Sequence, residues 1–138
     1  MDSIGTDHAG LGILSRDECE GLLRSASVGR LAFVSDGEVV VVPVNFRYHE
    51  GTIVIRTAVG SKLEAAARRA QMTFEIDGWN DATETGWSVL AKGRAREVLS
   101  DEEAADLMQL GLRPWADAAG KRRWLRIRPD EITGRKIE

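Results

Sequence analysis

A chain of 138 residues with 43% hydrophobic and 30% charged content can bury one core and hardly two, so it reads as one domain. Its 19 basic and 22 acidic residues leave a net charge of −3, which excludes a global field for nucleic acid or an anionic membrane; such binding would need a local patch. A single cysteine, Cys19, excludes an intrachain disulfide and fits a reducing cytoplasm, where it reads as a small buried hydrophobe.

Residues 1–13 are polar and read as a flexible tail that resembles neither a signal peptide nor a transit peptide, and no long apolar run follows, so a soluble cytoplasmic protein without membrane contact is expected. The domain proper is then 14–138. Ser15 and Glu18 have the spacing of a capping box and start a helix. Leu14 and Cys19 form its hydrophobic staple, and Leu22, Leu23 and Ala26 give an apolar stripe. Asp36-Gly37 separates "RLAFVS" from "EVVVVPVNF" and predicts a type I′ hairpin. Pro43 cannot donate to a ladder, so the second strand is an edge there or is irregular around Pro43-Val44-Asn45.

A turn at His49-Glu50-Gly51 leads into "TIVIRT", and the chain then passes through Gly60-Ser61-Lys62 into an alanine-rich helix over 61–70. "MTFEIDGW" alternates as a half-buried strand. "GWSVLAKGRAREV" is a longer strand in which Gly93 marks a bulge. Ser100 and Glu103 start another helix, a loop covers 111–120, "RRWLRIRP" puts Trp124, Arg126 and Arg128 on one face, and "EITGRKI" forms a last short strand. Hairpins and meanders argue against a doubly wound parallel sheet. A mainly β fold is expected: a small antiparallel barrel of about six to seven strands with two to three peripheral helices.

The strand-to-helix corner carries the chemistry. A helix N-terminus offers unpaired N–H groups and partial positive charge, Gly60 allows close approach, Ser61 and Thr57 supply hydroxyls, and Lys62 and Arg56 supply charge. This set suits a phosphate monoester; the plain alternative is that Ser61 only caps the helix while Arg56 and Lys62 are solvated. In a hairpin through residues 49–51, Asn45 comes near Arg56, and a flat ligand can lie along the backbone beside Pro43. Trp87 and Ser88 offer an aromatic wall and a hydroxyl, or ordinary packing.

These segments, "VGRLAFVSDGEVVVVPVNF", "GTIVIRTAVGSKL", "MTFEID", "GWSVLAKGRA" and "IRPDEITGR", occur in the order and spacing that resemble the pyridoxamine 5′-phosphate oxidase-like family, the FMN-binding split barrel. The resemblance runs from Leu14 to Ile137. It implies a homodimer with the flavin between subunits, its phosphate held by the segment from Arg56 and Thr57 through Gly60, Ser61 and Lys62, and its ring beside Pro43, Val44, Asn45 and Phe46. It also brings Glu75 and Asp77 toward the cofactor, with Trp87 and Ser88 reaching it from the partner chain. Many members have two adjacent basic residues where this chain has Ser61-Lys62, so Arg56 is the expected substitute. Pyridoxamine phosphate oxidases themselves are longer and add C-terminal basic and aromatic residues that hold the substrate phosphate; Arg126, Arg128 and Arg135 are either remnants of that site or, the favoured reading, solvated on an outward strand face.

The resulting expectation is an FMN-dependent oxidoreductase acting on a small organic molecule. A flavin carries its own redox chemistry, which accounts for the lack of a side-chain catalytic constellation. His8 and His49 have no partners at zinc-ligand spacing. Rival readings are an F420-dependent enzyme on the same barrel, which needs a basic channel beyond Lys62 from Arg68, Arg69 or the C-terminal arginines although Arg68-Arg69 reads better as an exposed helix face, and a non-catalytic flavin- or haem-binding module with His49 as the available ligand. Nucleic-acid binding through Lys121, Arg122, Arg123, Arg126 and Arg128 is the least favoured.

Overall fold

The computed structural model describes residues 4–58, 71–113 and 122–137. The expected helix over 61–70, with Gly60, Ser61 and Lys62, and most of the 111–120 loop lie outside the described residues.

Seven strands and two helices are described. They are β1 (Gly12–Ile13), α1 (Arg16–Ser25), β2 (Val28–Ser35), β3 (Glu38–His49), β4 (Thr52–Ala58), β5 (Gln71–Asn80), β6 (Thr85–Glu97), α2 (Asp101–Met108) and β7 (Arg122–Ile137). The sheet runs β1-β7-β4-β3-β2-β5-β6, and an additional β6–β7 pairing closes it into a barrel. Every strand pair is antiparallel. The expected split-barrel class is therefore the observed one.

Both hairpin turns follow from local chemistry. Asp36 (φ 51°) and Gly37 (φ 77°) join β2 to β3, and Glu50 (φ 51°) and Gly51 (φ 72°) join β3 to β4. Two consecutive positive φ values define the I′ turn, whose twist matches that of the flanking strands. The cap at α1 also forms as expected: the Ser15 hydroxyl accepts from the Glu18 N–H at 3.2 Å and donates to Glu18 Oε1 at 3.2 Å. At α2, as at α1, the serine half of the box forms without a glutamate oxygen accepting from the N-cap N–H. Glu103 N–H reaches Ser100 Oγ, but the Glu103 carboxylate turns to Arg96 at 2.6 Å, a charged donor that outcompetes a backbone N–H.

Alternation along the strands builds two cores. Phe46, Ile53, Ile55, Phe74, Ile76, Leu125 and Ile127 fill the barrel, and α1 covers it with Cys19 and Leu23, both fully buried. On the opposite face of β4 and β7, Val54 and Trp124 pack beneath α2 with Val98, Leu107 and Leu112. Trp124 and Arg126 do share a face, as expected, yet that face is covered: Arg126 is 9% exposed, and it donates to Thr52 Oγ1 at 2.9 Å and to the His49 carbonyl at 3.3 Å. Its expected solvation is corrected by the arrival of α2. Arg128 is exposed, as expected.

Two further expectations change. "RRWLRIRP" and "EITGRKI" form one strand, because β6 pairs with β7 along nearly its full length. The interruption is a register shift between Lys92 and Gly93, opposite which β7 carries Asp130 as an extra residue between Pro129 and Glu131. A Cβ on Gly93 would stand 2.2 Å from the Arg128 carbonyl oxygen, so the predicted bulge glycine is needed for close backbone approach. Residues 4–13, read as a tail, dock instead: Gly12 and Ile13 pair with Lys136 and Arg135, and Asp7 accepts from Arg135 Nε at 2.9 Å. Backbone hydrogen bonding within this segment, led by the Leu11 N–H, holds the Asp7 carboxyl below its ordinary pKa.

Candidate cofactor-binding site

The barrel opens between β3 and β4. Their ladder runs from His49↔Thr52 to Phe46↔Ile55 and no further, so the strands part where Asn45 and Arg56 would be the next pair. Pro43 lies in a continuous strand rather than an irregular one, opposite Arg30. In a hairpin closed by a two-residue turn, hydrogen-bonded and non-hydrogen-bonded pairs alternate outward from the turn. Counting from Ser35↔Glu38 makes Pro43↔Arg30 and Asn45↔Val28 non-hydrogen-bonded pairs. Their main-chain polar groups therefore point away from β2 and into the gap beside β4. Pro43 offers a C=O there, and Asn45 offers both an N–H and a C=O. The proline sits at the edge position where its missing N–H costs no ladder bond.

Val44 and Phe46 point their side chains into the barrel core, and their main-chain groups face β2, where the Phe46 N–H donates to the Ser27 carbonyl at 3.1 Å, so Pro43 and Asn45 are the residues that offer groups to the gap. The Asn45 amide donates to the Arg113 carbonyl at 3.2 Å. Together with Ser27, Arg47, Leu112 and Arg113 it lines a cavity of about 220 Å³ beside the gap. Arg56 does not contact Asn45 through a hydrogen bond; its guanidinium lies 5.0 Å from the centre of the Trp124 ring, a cation–π geometry. Its Nε is buried with no hydrogen-bond partner among the described residues. Thr57 is buried at 7% exposure on the opposite face of β4. Arg56 and Thr57 thus reach different sides of the strand that leads to Gly60, Ser61 and Lys62.

Of the remaining candidates, Glu75, Asp77 and Ser88 lie along the outer face of the β2–β3–β5–β6 sheet. Arg30, opposite Pro43 on β3 and Glu75 on β5, links that strand to the acidic pair: its Nη1 is 3.2 Å from Asp77 Oδ2 and 3.6 Å from Glu75 Oε1. Partial burial, with the Asp77 carboxyl close by, raises the Glu75 pKa to about 7. Around this row the same face exposes Val34, Val39 and Val41 at 59%, 77% and 59%. Asp77 pairs with Ser88 across β5–β6, so those two candidates are neighbours. Trp87 turns to the other side, packs against the barrel core and lies over Gly78, where a Cβ would meet its Nε1 at 2.6 Å. Cavities of about 440 and 250 Å³ open around Trp79 and Trp87 at this end of the sheet.

Pro43, Asp77, Glu75 and Ser88 thus lie along one face of this chain, while Trp87 faces elsewhere. Arg30, Arg47 and Arg113 escaped sequence reading. Arg30 was accessible in principle, because the Asp36-Gly37 turn fixes its position opposite Pro43. Of the basic residues considered for nucleic acid, Arg126 is buried and Arg123 pairs with Glu97 at 3.2 Å; Lys121 and the side chain of Arg122 lie outside the described residues. His49 Nε2 is 3.2 Å from the Glu50 carboxylate. Among the described residues, no helix is long and apolar enough to cross a membrane, and no group of three or more His, Cys, Asp or Glu is placed to hold a metal.

The family model of pyridoxamine 5′-phosphate oxidase matches residues 15–136. An uncharacterised Mycobacterium tuberculosis protein is 33% identical over 129 residues, spanning 90% of this chain and 84% of the relative. A Corynebacterium glutamicum structure provisionally described as a pyridoxamine 5′-phosphate oxidase is 36% identical, with a TM-score of 0.80 over 92% of this chain and 98% of that one. The structure of an FAD-binding protein from Mycobacterium smegmatis is 37% identical, with a TM-score of 0.78 over 91% and 99% of the two chains. With the barrel closed by β6–β7 and split between β3 and β4, this chain belongs to the pyridoxamine 5′-phosphate oxidase-like family of FMN-binding split barrels.

Proposed function

We propose that the protein is a homodimeric, flavin-dependent oxidoreductase that acts on a small organic substrate, with flavin held at the β3–β4 split. The observation that carries this reading is the parting of the two strands after Phe46↔Ile55, which leaves Asn45 with one main-chain donor and one acceptor facing the gap. A planar ring whose edge carries both N–H and C=O groups fits that pair. The unpartnered Arg56 Nε and the cavity between Asn45, Arg47 and Arg113 suit an anionic tail. Gly60, Ser61 and Lys62, next along the chain, are assigned to its phosphate.

A bound flavin supplies the two-electron chemistry through its own ring. The chain's residues bind and orient it: Pro43 and Asn45 along the ring edge, and Arg56, Thr57, Ser61 and Lys62 around the phosphate. Val44 and Phe46 fix the strand from inside the barrel. The second copy is assigned to the β2–β3–β5 face. Its exposed valines favour burial, and the presence of both Arg30 and the Glu75–Asp77 pair makes the face complementary to itself. Trp87 and Ser88 are assigned to the partner's flavin.

FAD is the second reading for the cofactor, favoured by relatives described as FAD-binding at 37% and 26% identity. The test is to mix the purified protein separately with FMN, FAD and F420, desalt it and record the visible spectrum. Retention of FMN or FAD is expected, with affinity lowered at least tenfold in the Ser61→Ala/Lys62→Ala double variant. Retained F420 replaces the cofactor but keeps the barrel. Retention of none overturns the proposal.

A further inference from the structure

Arg30, Glu75 and Asp77 place two carboxylates against one guanidinium in the middle of a face otherwise rich in exposed valine. The hydrogen bond from Arg30 Nη1 goes to Asp77, at 3.2 Å. Glu75 receives only the longer ion pair at 3.6 Å, and its Oε1 is buried without a hydrogen-bond partner. Neighbouring elements bring little relief. On β6, Leu90 stands opposite Glu75, and Lys92 stands one row along, opposite Thr73. On β7, Arg135 pairs with Ser88 but is engaged by Asp7 at 2.9 Å. On β3, Pro43 lies beyond Arg30 and carries no charge.

Glu75 is therefore the surplus carboxylate of the row: its Oε1 is already dry, and water on the 28% of the side chain that stays exposed is its remaining solvation. Covering the face removes that water. A charged carboxylate without a partner is costly in such a place, whereas a protonated one can donate to Asp77 and leave a single negative charge for Arg30.

We propose that the Glu75–Asp77 pair is a proton switch for self-association: closing the valine face against a second copy takes up a proton at this pair in each protomer. This rests on the dimer described under the proposed function. The dimer, and a flavin bound between its subunits, is then favoured in mildly acidic to neutral solution and weakened in alkaline solution. The direction agrees with the raised affinity of Glu75 for its proton. By linkage, each proton taken up weakens association up to about tenfold per pH unit once the pair is ionised in the free protomer.

The full chain is followed by sedimentation velocity from pH 6 to pH 9 at constant ionic strength, as wild type, Glu75→Gln and Asp77→Asn. The expected result is a wild-type dimer constant that weakens by tenfold or more between pH 7 and pH 9. Each amide variant should stay dimeric with a flat profile, and the second serves where the first fails to fold. A wild-type dimer with a flat profile overturns the proton switch and leaves the dimer standing. Amide variants that keep the wild-type slope also overturn it, and a monomer at every pH removes the dimer reading together with the switch.

Discussion

Gly93→Ala tests how tightly β6 and β7 are locked at the bulge. The added methyl would stand 2.2 Å from the Arg128 carbonyl oxygen, 2.9 Å from its carbonyl carbon and 2.9 Å from Pro129 Cα. All three are main-chain atoms of the paired strand, so no side chain can swing aside; either β7 moves or the bulge opens. Overpacking a close-packed interior costs about 1–3 kcal/mol. Because β6–β7 is the pairing that closes the barrel, the upper half of that range, about 2–3 kcal/mol, is expected. For a chain of this size that corresponds to a fall in Tm of roughly 6–12 °C. Gly21→Ala in α1 is the control: an added Cβ meets nothing within 4 Å, and helix propensity predicts a gain of about 0.5–1 kcal/mol. Urea and thermal unfolding followed by far-UV circular dichroism measure both. A Gly93→Ala protein within about 0.5 kcal/mol of wild type would refute the close-approach argument.

Ser15→Ala removes the cap of α1 and should lower stability by about 1 kcal/mol in urea titration, with Ser15→Gly losing less. Arg126→Met removes the buried donor to Thr52 and His49; a loss of about 2–3 kcal/mol is expected, partly restored in Arg126→Lys. Tyr48 donates to Glu20 at 2.6 Å, and this bond is the leading cause of the lowered Glu20 pKa. Its stabilisation is complete above the ordinary glutamate value and fades as pH falls through the depressed folded value. Tyr48→Phe should therefore flatten the acid limb of stability against pH between about 3 and 6; an unchanged limb would assign that loss to other carboxylates.

Features confined to a few neighbouring residues were legible in the sequence. Asp36-Gly37 and Glu50-Gly51 adopt the positive φ values their chemistry permits, and Ser15 and Ser100 cap their helices. Gly93 marks its bulge. Pro43 was rightly read as a site of missing ladder bonding, although the strand stays continuous because the proline occupies a non-hydrogen-bonded pair. What escaped were pairings between distant residues. Alternation put Trp124 and Arg126 together but could not say that α2 would cover them. The polar segment before Leu14 carried no docking signal, because its anchor Arg135 is 128 positions from Asp7.

The candidate site divides along the same line. Residue types and their order alone located the β3 strand through Pro43 and Asn45, because a hairpin turn sets register for the residues that flank it; the corner at Gly60-Ser61-Lys62 lies outside the described residues. Tertiary structure decided where β3 and β4 separate, which main-chain groups of Asn45 face the gap, and that one Arg30 serves both Glu75 and Asp77. The physical reason is range. Turn and cap preferences act over a few bonds, whereas burial, charge pairing and the protonation state of Glu75 depend on which strands the closed barrel brings side by side.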